Sequence, residues 1–248
     1  LGAPGFGGIF TNNGTINING TDSFGVILNA SATGTPKIIL NTPLNINGTN
    51  NKGIILEKDL DYSQSVFKFK LDGTSGLGLY SNYTPSSANN ITGYDFSSGI
   101  NSNGGTLVRV DSGKFIFDNT GAININGINN YGFIVSGSNS EVSIDKDINS
   151  SGDKNIVLYS EKGSSLNYAG TINTAGIGSH AAVIGTGGNL TNYSGKAVSL
   201  KAAGDSSVAL YNKGTVNLLN SGTYEASGAR STIIYNEEGT KNVTGGNT

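Results

Sequence analysis

The side chains able to do chemistry are few, and carboxylates come first. Asp59 with Asp61 and Asp145 with Asp147 are i, i+2 pairs, a spacing that puts both carboxyls on one face of a strand. Glycoside hydrolysis needs two such groups across a groove, about 5 to 9.5 Å apart. Neither pair has a counterpart one repeat away, and Lys146 supplies a counter-ion inside the second, so both read as solvated strand faces. His180, in Gly178-Ser-His-Ala, is the single histidine. A Ser-His-Asp triad would need it, but no Gly-x-Ser-x-Gly elbow presents a serine, and His180 reads as a surface turn residue. One histidine and no cysteine exclude a transition-metal site. Asp59 and Asp61, or Asp145, Asp147 and Asp153, offer hard oxygens to calcium, yet the Gly-Gly-x-Gly-x-Asp repeat of calcium-binding β-rolls is absent. The glycines of Gly5-Phe-Gly-Gly8 and Gly76-Leu-Gly78 open no helix after a strand, which rules out a phosphate loop. The expectation is a non-enzyme without a cofactor.

The elements that would position any site repeat along the whole chain. A β-rich run ends on an aliphatic anchor, followed by a polar or aromatic residue and a turn, with anchors at Leu28, Leu56, Leu79, Val110, Val135, Leu158, Ile184, Leu210 and Ile234. Their mean spacing is about 26 residues, and self-similarity at 20 to 50 residues marks a solenoid. A second phrase of alternating Ile and Asn precedes several anchors: Ile16-Asn-Ile18, Leu44-Asn-Ile46 and Ile123-Asn-Ile125, with looser copies at Val142-Ser-Ile144, Thr171-Ile-Asn173, Val198-Ser-Leu200 and Thr223-Tyr-Glu225. Period-2 alternation is the signature of a strand with one buried face. A third, weaker strand such as Thr215-Val-Asn-Leu218 fits within the period. Together these predict an all-β, right-handed parallel β-helix of about nine coils, each roughly 26 residues. Residues 1–248 read as one segment of a longer rod, with a loop insertion at 82–104.

Composition agrees. Glycine accounts for 38 residues and asparagine is close behind, while Cys, Met and Trp are absent. The charged fraction of 13% is about half the usual value. Spaced Ile, Leu and Val distinguish the chain from low-complexity disorder. Asn212 and Asn236 follow Tyr211 and Tyr235 into turns, where Asn tolerates left-handed backbone, and stacked coils would align them as an amide ladder. A net charge of −2, with Arg109 and Arg230 the only arginines, argues against nucleic acid. No 18-residue apolar run or signal-peptide pattern is present, so a mature or truncated product is expected.

The idioms Ala-Leu-Tyr211-Asn-Lys-Gly-Thr-Val-Asn217 and Ile-Ile-Tyr235-Asn-Glu-Glu-Gly239 resemble the coils of autotransporter passenger domains. The Asn- and Lys-rich dialect with Asn-Gly-Thr-Ile-Asn turns is similar to the large fusobacterial autotransporter adhesins. The resemblance covers about Gly14 to Gly246. It implies a bacterial adhesin segment at the cell surface, held to the outer membrane only through a C-terminal barrel that this chain lacks. Partners would be a glycan or protein receptor on host cells or other bacteria.

Two features are candidates for recognition. The long step between Leu79 and Val110 carries Tyr83, Tyr94 and Phe96, which read as exposed aromatics on a loop. Tyr80, Tyr159, Tyr211 and Tyr235 each follow an anchor and should form an outward column, interrupted by Asp111, Ser136 and Gly185. Exposed rings suit sugar faces and protein hot spots. Alternatives are a non-binding stalk and a polysaccharide-active β-helix enzyme.

Overall fold

A tight turn that recurs in every coil sets the architecture. The computed structural model describes residues 8–30, 34, 36–58, 65–83, 89–90, 93–96, 99–117, 121–219 and 221–243. In eight of the nine coils the turn reads Gly, any residue, a left-handed residue, then Asn, Ser or Gly; in the remaining one Ser102 stands in the first place. The left-handed positions are Asp22, Asn50, Ser75, Gly104, Asn129, Lys154, Gly178, Ser206 and Arg230, with φ between 53° and 74°. From Asp22 to Ser206 their N–H groups donate to the next coil, as from Asn129 to Asp153 O at 2.9 Å and from Ser206 to Ala229 O at 2.8 Å. The parallel ladder therefore runs unbroken through the bend. Two positions earlier, glycine allows the backbones to approach: a Cβ on Gly176 or Gly204 would collide with the carbonyl oxygen of the glycine one coil earlier, Gly152 or Gly176.

Three parallel faces result. Face 1 stacks nine strands: Phe24–Leu28, Lys52–Leu56, Leu77–Asn82, the start of Thr106–Phe117, Tyr131–Ser136, Ile156–Glu161, His180–Ile184, Val208–Asn212 and Thr232–Asn236. Face 2 holds Ile9–Asn12, Lys37–Leu40, Ser140–Asp145, Asn189–Asn192, Thr215–Leu218 and their neighbours. Face 3 holds Ile16–Ile18, Leu44–Ile46, Ile123–Ile125, Ile148–Ser150, Val198–Ala202 and Ser221–Ala226. The chain is a parallel β-solenoid, as its period predicts. One expected copy moves: Val142-Ser-Ile144 lies on face 2, and the face-3 strand of that coil is Ile148–Ser150.

The core is a column of stacked aliphatics between the faces, thickened in the middle coils by Phe67, Phe69, Phe96, Phe115, Phe117 and Phe133. Polar ladders line it. The backbone N–H of Gly105 donates to Asn130 Oδ1 at 2.7 Å, that of Asn130 to Asn155 Oδ1 at 2.8 Å, and that of Asn155 to Ser179 Oγ at 3.1 Å. The series continues from Ser179 N–H to Ser207 Oγ at 3.1 Å. The expected Asn212–Asn236 ladder also forms, at 2.8 Å. Buried amides are tolerated because their bonds are made coil to coil.

The segment 82–104 contributes to the walls. Gly93–Asp95 pairs with Val66-Phe67-Lys68 of the preceding coil, whereas Asn89–Asn90 pairs with Phe115-Ile116 of the following one. Ile100 then bridges Leu71 and Ile125 on face 3. Face 2 divides here, Gly93–Asp95 pairing with one part and Asn89–Asn90 with the other, and an aromatic plug fills the core behind the division.

Candidate binding face

That plug is Phe96. It is 2% exposed, its ring 4.7 Å from Phe69 and 5.9 Å from Phe117. The expected exposed aromatic is thus corrected to a core residue, because Gly93–Asp95 docks as a strand and delivers Phe96 inward. Tyr83 follows Leu77–Asn82 and is half-buried. Tyr94 pairs with Phe67 through its backbone, and its side chain lies outside the described residues. The structure does not gather these three into one exposed surface.

Tyr159, Tyr211 and Tyr235, with Tyr80, do share one outward column on face 1. Hydrogen-bond register places them with Ile27, Ile55, Arg109, Ile134 and Val183. The interruptions are therefore Arg109, Ile134 and Val183, not Asp111, Ser136 and Gly185. The anchors all point inward but occupy two columns: Leu79, Leu158, Leu210 and Ile234 in one, Leu28, Leu56, Val110, Val135 and Ile184 in the other. A slip of two residues preserves strand alternation, so the hydrophobic pattern alone does not detect it. The Gly-x-x-Asn/Ser frame of the turn does in the coils that carry it, all but those turning at Gly73–Gly76 and Ser102–Gly105, since it falls at the same register position in each.

A second outward column on face 1 runs Phe24, Lys52, Leu77, Thr106, Tyr131, Ile156, His180, Val208 and Thr232. Face 1 consequently carries mostly aromatic and aliphatic side chains on its outer columns, interspersed with Lys52, Thr106, Arg109, His180 and Thr232. Face 3 presents Asn17, Asn45, Lys70, Asn124, Asn149, Asn173, Lys201 and Glu225 at its central position. Several of these are bonded into an amide ladder, such as Asn45 Nδ2 to Asn17 Oδ1 at 2.8 Å and Asn173 Nδ2 to Asn149 Oδ1 at 3.1 Å.

Three of the tyrosine hydroxyls on face 1 are anchored by a carboxylate. Tyr80 donates to Asp111 at 3.1 Å, Tyr159 to Glu161 at 2.9 Å, and Tyr211 to Glu237. Arg109 Nε lies 2.9 Å from Asp111, and Lys213 lies 2.9 Å from Glu237. Burial, then Glu161, pushes the Tyr159 phenol up to about 12. Burial and Asp111 likewise raise Tyr80, and the bond to Glu237 raises Tyr211. Burial draws Glu161 upward, but the bonds from Lys162 and Tyr159 outweigh it and hold the carboxyl below its ordinary range. These phenols stay protonated at neutral pH and act as donors rather than bases. The Tyr211 and Tyr235 rings stack at 5.1 Å and 14°, while Tyr131 and Tyr159 meet edge to face at 6.2 Å.

The carboxylates singled out from the sequence have structural partners. Asp145 pairs with Lys196, Asp147 Oδ1 accepts the Thr171 N–H at 2.7 Å, and Asp153 Oδ1 accepts that of Ile177 at 2.8 Å. Asp59 and Asp61 lie outside the described residues. Among the described residues no group of three or more His, Cys, Asp or Glu could hold a metal ion. His180 sits on face 1 between Ile156 and Val208; burial lowers its pKa against a raising bond from the Ser179 backbone. Comparison with protein-family models, curated proteins and solved structures finds no match.

Proposed function

We propose that this chain is a lateral-binding segment of a bacterial cell-surface adhesin, of the autotransporter passenger class that its coils resemble. The observation that carries the reading is the contrast between faces: the outer columns of face 1 are mostly aromatic and aliphatic, with Lys52, Arg109 and His180 among them, while the central column of face 3 carries amides and charges. A self-supporting stack of coils has no need of an apolar outer face, and such patches mark contact surfaces. Tyrosines whose hydroxyls are fixed by carboxylates present their rings at low entropic cost, as contact residues do.

The test is binding of the purified chain to host and bacterial cells, beside a Tyr211→Ala/Tyr235→Ala variant. Saturable binding by the parent that drops in the variant supports the adhesin reading. A folded parent that binds no cell overturns it in favour of a stalk whose recognition lies elsewhere in the polypeptide. The stack of Tyr211 on Tyr235 favours this second reading, because each ring already covers a face of the other.

A further inference from the structure

The outer side of face 2 carries a groove that the tyrosine column does not touch. It has a volume of about 320 Å³ and is lined by Lys114, Ile116, Glu141, Ser143, Asn167 and Tyr193 among others. Its floor crosses the strands Thr106–Phe117, Ser140–Asp145 and Ser165–Thr174. Its wall is a single 3-10 turn, Tyr193–Gly195, with Ser194 at φ 49°. In the two preceding coils, faces 2 and 3 are joined by Lys146-Asp147 or directly, within the continuous strand Ser165–Thr174; here the connection spans 193–197. The longer connection packs back over Ser140–Asp145 and Ser165–Thr174, and the Lys196–Asp145 ion pair pins it there.

A line of fixed polar groups runs along the floor. Lys114 Nζ meets Glu141 Oε2 at 3.0 Å. Asn167 Nδ2 donates to Glu141 Oε1 at 3.1 Å and to Ser143 Oγ at 3.0 Å, and Thr191 Oγ1 donates to Asn167 Oδ1 at 2.6 Å. Because each partner sits one coil from the next, the line repeats at the strand spacing of about 4.8 Å. Lys114 and Glu141 offset one another, so the groove has no net affinity for a phosphate or a bare cation. Fixed donors and acceptors side by side, over an apolar floor at Ile116 and beside an aromatic wall, suit a ligand whose own groups both donate and accept.

We infer that this groove is a binding site for a neutral oligosaccharide, laid along the rod axis with its hydroxyls on Glu141, Lys114 and Ser143 and a ring face on Tyr193. The inference rests on the adhesin reading only for the source of the sugar, a cell-surface glycan. The experiment is an array of defined neutral and acidic oligosaccharides probed with the parent, Tyr193→Ala, Glu141→Gln and the face-1 variant Tyr211→Ala/Tyr235→Ala. Tyr193 lies on an external turn, and Gln keeps the shape of Glu141, so both variants should fold; circular dichroism checks this. The expected result is neutral-glycan binding that falls at least about tenfold in Tyr193→Ala and Glu141→Gln and persists in the face-1 variant. The inference is overturned by a folded parent that binds no glycan, by binding confined to acidic glycans, or by undiminished binding in both groove variants. Cell binding that survives in the groove variants but fails in the face-1 variant would overturn this site and leave the adhesin reading standing.

Discussion

Asn155 Oδ1 accepts the backbone N–H of Asn130, one coil earlier, at 2.8 Å, and both side chains are fully buried. The pair shows how a chain so rich in asparagine holds its coils in register. Each amide oxygen satisfies a donor that the turn exposes, and each amide nitrogen returns to a carbonyl or hydroxyl nearby, as Asn155 Nδ2 does to Ser150 Oγ at 3.1 Å.

Asn155→Ala should lower stability by about 2 kcal/mol, because it strands the Asn130 N–H in the core. Asn155→Ser should cost less, since Ser179 and Ser207 serve the same role one and two coils later. Urea unfolding of the three proteins checks the order parent, Ser, Ala.

The left-handed turn position predicts a graded series of losses. Gly178→Ala should destabilise by about 1 to 2 kcal/mol, from backbone strain alone, since a Cβ there meets only Lys154 Cγ, at 3.7 Å. Gly178→Asn should be milder, because Asn50 and Asn129 hold the same conformation. Gly176→Ala, two residues away, should be worse than either, as its Cβ would run into Gly152 O. Thermal melts of the three variants rank them.

Phe96→Ala should cost about 3 to 5 kcal/mol, the usual penalty for emptying an aromatic core site. Tyr83→Ala, at a half-buried position, should cost distinctly less. Equal and small losses in the denaturation midpoint would show that Phe96 does not plug the core.

Tyr159 should ionise near pH 12, well after an ordinary phenol at 10.0. Its folded pKa is raised, so its contribution to stability is full below pH 10 and fades as pH climbs through about 12. Tyr224, raised to about 12 by burial, should behave alike. Phenolate absorbance across an alkaline titration should show a late phase that shrinks in Tyr159→Phe.

Much of the architecture was legible in residue order. The Ile-Asn-Ile and aliphatic-Tyr-Asn phrases gave a parallel solenoid of the right period, and the inward direction of every anchor followed from alternation. The column that each anchor joins did not, because alternation is blind to a slip of two residues; the hydrogen bonds between coils place Leu79 beside Val108 and not beside Val110. The turn frame from Gly20 to Ser23, repeated as Gly152 to Asn155 and Gly204 to Ser207, carried that information in residue types of low hydrophobicity.

The recognition surface divides in the same way. Sequence by itself determined that Tyr159, Tyr211 and Tyr235 share one outward face, since strand geometry fixes side relative to neighbours in the chain. Tertiary structure alone decided the fate of Phe96 and the setting of Tyr193. A polar segment looks the same in sequence whether it loops outward or docks as a strand; docking at Val66–Lys68 turned Phe96 into the core. The groove under Tyr193 draws its members from coils about 25 residues apart, and pairs so distant meet only once the solenoid has stacked them.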